Sequence, residues 1–525
     1  LTTGLLVTLA PTASAEDSMT DLGAFAYGGD LVVGGDKVVV SIDNRIVVAD
    51  TAGEVQGTIT GVSGASGLAM TADGTRVYAA LQGSKEVAEI DTATREITRR
   101  IDLAAYGCPF SLALTGERLW IGYGCDATGV LGFDLSAPTS QPVVADTSLL
   151  KSSPYIAAAG DTLVVGEFTG SPTDLFVYDV SGAAPVLRGE IDGHTYSNYR
   201  LEDIAVTPDG SHIISAFALP DAFTMWDATT LAKVRDYEKG PEAEGYPRSV
   251  AVSPDGTYIA GGRTLGVGMT LYDRASGTTV YATNPPQGEV VSGSAAYAGR
   301  DVYSLVKSDN GHLFLWRLHD VTLPASTLTL MAQPGGTARQ PLTMTGQLTF
   351  ADETAPGAQP LTVTRRLPDG TTATLPSATT AADGTFTITD TPPTGGQTTY
   401  TVLWKGDGEH RWSKASVTTA VRYKAGLTLT GPTSAVAGTT LVFSGTSQAD
   451  GTTPPRRVWI TVQRVLNADG GDTVERPAWI DDFGSYRFID TPEAGEYTYT
   501  VRWAGDARTG PAEASQVVTV EKPND

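Results

Sequence analysis

One aspartate recurs at the end of a strand-like run: "IVVADTAG" (Asp50), "VAEIDTAT" (Asp91), "LGFDLSA" (Asp134), "LFVYDVSG" (Asp179), "TMWDATT" (Asp227) and "TLYDRAS" (Asp273). Successive gaps are 41, 43, 45, 48 and 46 residues, and a seventh run, "LFLWRLHD", puts Arg317 44 residues further on. Each run follows a strand opened by a tight turn, as in "ADGTRVY", "PDGSHII" and "PDGTYIA". Each turn in turn follows a short apolar strand, as in "GLAMT", "DIAVT" and "SVAVS". Gly beside Asp supplies the positive φ that tight hairpins need. Each unit therefore holds four strands, and seven units fill residues 22 to 321.

One four-stranded sheet cannot bury both faces alone, whereas seven packed radially can, with few open edges. The first part of the chain, residues 16–321, thus reads as a seven-bladed β-propeller in an all-β protein. The last unit lacks a fourth strand of its own, so the segment Met19 to Tyr27 is expected to supply it. Closure end to end without exchange is the alternative. The recurring aspartates are expected to accept N–H bonds in the turn that follows. The residue before each (Ala, Ile, Phe, Tyr, Trp and Tyr in order) is expected to pack between blades.

"SGLAMTADGTRVYAALQGSKEVAEIDTATREITRRIDL" and "PRSVAVSPDGTYIAGG" resemble repeats of the YVTN-type β-propeller family of exported surface proteins. The second, fifth and sixth units fit that pattern well. The third and fourth lack its "PDG" turn, and the seventh lacks the Asp. The resemblance implies a propeller fold and a binding or surface role, without naming a ligand.

Beyond residue 321 the period changes. "TFTITDTPPTGGQTTYTVLWKGDGEHRWSKASVTTAV" aligns with "SYRFIDTPEAGEYTYTVRWAGDARTGPAEASQVVTV", placing Trp404 on Trp503 and Asp390 on Asp490. "PLTVTRR" likewise matches "WITVQRV". These two stretches, 322–423 and 424–525, look like bacterial immunoglobulin-like β-sandwich repeats, which commonly serve as spacers.

The formal net charge of −23 and the absence of a clustered basic run argue against a nucleic-acid partner. Residues 1–15, "LTTGLLVTLAPTASA", read as the apolar core and small-x-small cleavage site of a secretory signal. No other segment reads as a membrane span. The expected location is secreted or held to the cell envelope.

The two cysteines, Cys108 and Cys125, flank the hairpin "CPFSLALTGERLWIGYGC". Folding about Gly116-Glu117 sets them opposite each other, and in an exported protein this predicts a disulfide. The five histidines, His194, His212, His312, His319 and His410, form no close ligand pair and read as solvent-facing or turn residues. No GxSxG, phosphate loop or EF-hand pattern occurs. No catalytic residue, metal site or cofactor is expected. Aligning the units instead places Phe110, Tyr155, Glu202 and Arg248 at one mouth of the central channel, with Tyr106, Tyr196, Tyr199, Arg200 and Tyr246 on nearby loops. Aromatics with a few charges suit an envelope polymer, glycan or protein ligand. The other reading is that Glu202 and Arg248 simply pair while the aromatics plug the channel.

The sequence thus points to a non-catalytic binding or adhesion protein, a propeller head with immunoglobulin-like spacers. An exported propeller enzyme, lactonase-like hydrolase or lyase, and a structural surface-layer component are the alternatives.

Overall fold

A computed structural model describes residues 16–26, 29–137, 140–145, 150, 152–167, 171–237, 245–468 and 471–523. The signal-like segment 1–15 lies outside the described residues. The chain divides into two compact units, Leu1–Leu323 and Pro324–Asp525.

Among the described residues of the first unit there are seven four-stranded antiparallel sheets. Their innermost strands are Leu31–Gly34, Ala65–Met70, Cys108–Thr115, Pro154–Ala159, Tyr199–Val206, Pro247–Val252 and Glu289–Ala298. Each lies beside the next, and Leu31–Gly34 also lies beside Glu289–Ala298, so the series closes into the ring of a β-propeller. The last sheet takes its outer strand from the start of the chain: Ser18–Ala24 pairs antiparallel with His312–Leu318. The expected strand exchange is therefore present.

Adjacent sheets are sealed by separate apolar clusters, one at each of the seven sheet-to-sheet junctions. The residue before each recurring aspartate belongs to the junction with the preceding sheet. Ile90 packs among residues of the first and second sheets, Tyr178 among the third and fourth, and Trp226 among the fourth and fifth. Trp316 does the same in the seventh sheet. The position therefore tolerates any apolar shape that its neighbour can accommodate.

The aspartates hold the turns. Asp50 Oδ1 accepts from the N–H groups of Ala52 and Glu54, Asp91 Oδ1 from Ala93 and Thr94, and Asp227 Oδ1 from Thr229 and Thr230. Asp134, Asp179 and Asp273 do the same with Ser136, Ser181 and Ser276. The hydroxyl and N–H of Ser181, with Arg188, pull the Asp179 carboxyl down to about 2. In the seventh sheet Arg317 stands at this place and reaches back to Asp301 at 2.7 Å instead.

Cys108 and Cys125 form a disulfide with Cα atoms 5.6 Å apart. Its local register differs from a simple hairpin. Ser111 to Thr115 pair as folding about Gly116 requires, but a bulge at Phe110 sets Cys108 opposite Gly124, and Cys125 follows with a left-handed φ of 79°. A loop of this length closed by a disulfide adds about 3 kcal/mol of stability.

The second unit contains two β-sandwich modules. In the first, Ser326–Ala332, Leu342–Phe350 and Thr385–Asp390 face a larger sheet that includes Ser413–Arg422, Gly396–Trp404 and Pro360–Arg366. In the second, Ala425–Leu427, Leu441–Ala449 and Ser485–Asp490 face Ser434–Val436, Ala512–Glu521, Gly495–Trp503, Val458–Leu466 and Thr473–Ile480. Strict alternation of buried and exposed residues along Leu342–Phe350 shows one face inward and one in water. Trp404, Tyr400 and Val402 fill the first core, and Trp503, Tyr499 and Val501 fill the second at equivalent places.

His410 meets the turn half of its expectation but not the solvent-facing half. It sits in a turn but is buried, stacked on Phe350 with ring centroids 3.8 Å apart. Asp352 and Asp407 each approach it at 3.2 Å. Two carboxylates beside one imidazole make burial tolerable.

Candidate functional site

The channel-facing residues are positioned by a repeated irregularity of the innermost strands. Phe110 lies between Pro109 and Ser111 where the ladder shifts register, Glu202 between Leu201 and Asp203, and Arg248 between Pro247 and Ser249. A bulge places an extra residue outside the ladder and re-aims its side chain. The fourth sheet has no such shift, so Tyr155 pairs regularly with Gly166 and occupies the register of Ser111 and Asp203. The four residues thus come from two neighbouring levels of the ring.

Two groups form. The rings of Phe110 and Tyr155 lie 5.2 Å apart. Glu202, with its side chain 1% exposed, is held by Arg248 at 3.2 Å and Arg200 at 2.5 Å, and also accepts from the Ser292 hydroxyl. Arg200 and Arg248 each lie 5.0 Å from the centre of the Tyr246 ring. A carboxylate so buried requires such partners. Tyr199 is half-buried opposite Leu219 at the same strand end. Tyr106 instead packs edge-on to Tyr123 at 5.9 Å, and Tyr196 packs on Trp226 at 4.8 Å. These last two pack against the apolar clusters between neighbouring sheets.

Phe110, Tyr155 and Arg248 line a cavity of about 1090 Å³ within the ring, together with Phe25, Asp30 and Asp203. The two aspartates were not singled out by sequence. They occupy matching places before an apolar strand, in "GGDLVV" and "LEDIAV". Each bridges to the next sheet. Asp30 accepts from Leu31 N at 2.7 Å and Leu68 N at 2.6 Å; Asp203 accepts from Ile204 N at 2.8 Å and Val250 N at 2.7 Å. Both carboxyls open onto the cavity, yet protein surrounds them. Burial pushes Asp30 up to about 7 against the pull of its N–H donors. Burial, with the charges of Asp30 and Glu202 added, pushes Asp203 up to about 8. The same negative charges add to burial in raising the Tyr155 hydroxyl.

A second cluster, Asp301, His319 and Asp320, brings three metal-capable atoms within 4.8 Å of one another. Arg317 already places positive charge there, 2.7 Å from Asp301 and 2.7 Å from His319. The chemistry of the group is that of an ion-pair network. His312 contacts Asp21 at 3.0 Å, tying the exchanged strand to its partner. No described helix is long and apolar enough to cross a membrane.

No protein-family model matches the chain, and no curated protein is detectably similar to it. Among solved structures, the β-propeller domain of Myceliophteria thermophila Cps50 (Swd1) superposes with a TM-score of 0.44 at 14% identity, covering 57% of this chain and 99% of that one. Kuenenia stuttgartiensis hydrazine synthase gives 0.44 at 15% identity, with 60% and 98% covered. Kluyveromyces lactis Hsv2 gives 0.38 at 12% identity, with 56% and 100% covered. Nothing about ligand or activity transfers at this distance.

Proposed function

We propose that the chain is a secreted or envelope-associated binding protein without a catalytic step. In this reading a seven-bladed, YVTN-type propeller carries the ligand site and is joined to two immunoglobulin-like modules. The observation that supports it best is the channel mouth: the Phe110–Tyr155 ring pair beside the Arg200–Glu202–Arg248 cluster, opening on a cavity of about 1090 Å³. Aromatic surface with a few fixed polar groups is how concave sites orient glycans and peptides. The test is binding of the purified chain to arrays of envelope glycans and peptides. Phe110→Ala and Tyr155→Ala are expected to weaken the bound ligand at least tenfold. Unchanged binding in both variants would remove the mouth from the reading, and recovery of the protein only from the cytosol would remove the exported location.

One observation favours the second reading, an exported hydrolase or lyase. Asp30 and Asp203 are carboxyls raised to about 7 and about 8 inside the channel, and raised carboxyls occur at sites of acid–base chemistry. Against it, every carboxyl oxygen of the pair already accepts a backbone N–H. Turnover of any lactone or uronide that vanishes in Asp203→Asn would favour the enzyme.

A further inference from the structure

The second sandwich carries aromatic side chains where water, not protein, meets them. Trp459 is 65% exposed, Trp479 42% and Phe483 87%. Trp459 and Trp479 are opposite each other on neighbouring strands, and their rings meet at 5.0 Å with an interplanar angle of 64°. Phe483 follows in the next turn. Arg457 pairs with Asp482, tying the start of the Trp459 strand to that turn. The three aromatics therefore share one end of the module.

The first sandwich is an internal control. At the same cross-strand register it has Pro360 opposite Thr379, and Asp383 stands in place of Phe483. A β-sandwich of this design therefore needs no tryptophan there. Exposed large apolar side chains grouped at one place mark an interaction site.

The polar groups beside the tryptophans indicate the partner. Along the same face, Thr461 lies opposite Arg502 and Gln463 opposite Glu475. Gln463 donates to Glu475 at 3.1 Å, and Arg502 donates to Gln463 at 3.0 Å and to Glu513 at 3.2 Å. The first module has Thr362, Leu403, Thr364 and Lys414 at the corresponding places. A row of planar donors and acceptors next to an aromatic corner matches a pyranose, whose C–H faces stack on indole while its hydroxyls reach outward. The guanidiniums of Arg457 and Arg502 are already paired with carboxylates, so the face offers little net charge to an ionic polymer. A second copy adding through the outer strand Thr473–Ile480 meets Pro477, which has no N–H to give.

We infer that the Trp459–Trp479 corner of the second sandwich is a binding site for an uncharged polysaccharide. The site is separate from the channel and stands whether or not the channel binds anything. The test uses the full chain with three probes: microcrystalline cellulose and crystalline chitin in depletion assays, and oat β-glucan in affinity gels. Retention by at least one probe is expected, with a loss of at least tenfold in Trp459→Ala/Trp479→Ala and about threefold in Phe483→Ser. Thr379→Ala, at the matching place in the first sandwich, is expected to bind these probes as the parent does, which assigns the retention to the second module. Circular dichroism checks that the variants fold, and tryptophan emission of the parent is expected to shift on adding soluble cello- or chito-oligosaccharides. The inference is overturned by no retention on all three probes, by retention that survives the double variant, or by a parent dimer that the double variant converts to monomer.

Discussion

In the first sandwich, Tyr400 and Arg365 converge on Asp390, at 2.7 and 2.8 Å. In the second, Tyr499 and Arg464 converge on Asp490, at 2.7 and 3.0 Å. The cores match as well, Leu361 and Val363 in one standing where Ile460 and Val462 stand in the other. Outside, the two diverge. The first buries His410 under Phe350, where the second has Thr509, and the second exposes Trp459 and Trp479 where the first has Pro360 and Thr379. Such a duplicated pair separates what the fold requires from what one copy has added.

The shared triad is the place to break both modules at once. Asp490→Asn is expected to cost about 3 kcal/mol, because Arg464, Arg476 and Tyr499 all lose the carboxylate they share. Asp390→Asn is expected to cost somewhat less, since Arg476 also reaches Asp490 at 2.8 Å. Hydrogen exchange on the intact chain, read over each module's strands, measures both. Burial would raise the Asp490 carboxyl, but Tyr499, Arg476 and Arg464 outweigh it and hold the pKa below 3.8. The triad's stabilisation is therefore complete above that value and is lost as pH falls through the lower folded pKa. Asp490→Asn should flatten this acid limb in the second module.

A smaller effect separates the modules. Burial works against protonation of His410, but Asp407 and Asp352 prevail and raise its pKa above 6.5. Its contribution is fully present below 6.5 and disappears as pH rises through the folded value. Protection over the first module, corrected for the intrinsic rise of exchange with pH, should fall on the alkaline side, while that of the second, with Thr509, stays level. His410→Ala should abolish that difference and cost about 2 kcal/mol through the cavity left beside Phe350. The smallest effect concerns the exposed corner. Replacing Trp459 and Trp479 by Thr should change stability by less than about 1 kcal/mol, the scale of one aromatic pair. A larger loss in a denaturant titration would mean that the indoles support the fold.

Much of the propeller was legible because its signals are local. The aspartate and its turn lie within a few residues, and the apolar residue before it faces one constant neighbour. The exchanged strand was legible by count, since the seventh unit came up one strand short. The bulges were not, because residues such as Phe110 and Glu202 have nothing unusual about them in sequence. The disulfide pairing survived that omission, while the register around it did not. Tyr106 and Tyr196 look like mouth residues in a linear reading, but their rings turn toward Tyr123 and Trp226. Asp30 and Asp203 went unmarked because their partners are N–H groups on the next sheet, which no pattern of side chains reveals. The Trp459–Trp479 corner is likewise a cross-strand property, made by two residues that alternation alone places on a solvent face.

The exchanged strand also sets a clock. Asp21 and His312, which touch in the folded ring, are 291 residues apart in the chain. At ordinary rates of synthesis the ribosome needs roughly 15 to 60 s to cover that interval. During that time the early sheets can stack only as an open arc, and the first strand has no partner to join. The ring is therefore completed only when Ser18–Ala24 meets His312–Leu318, a strand synthesised long after it.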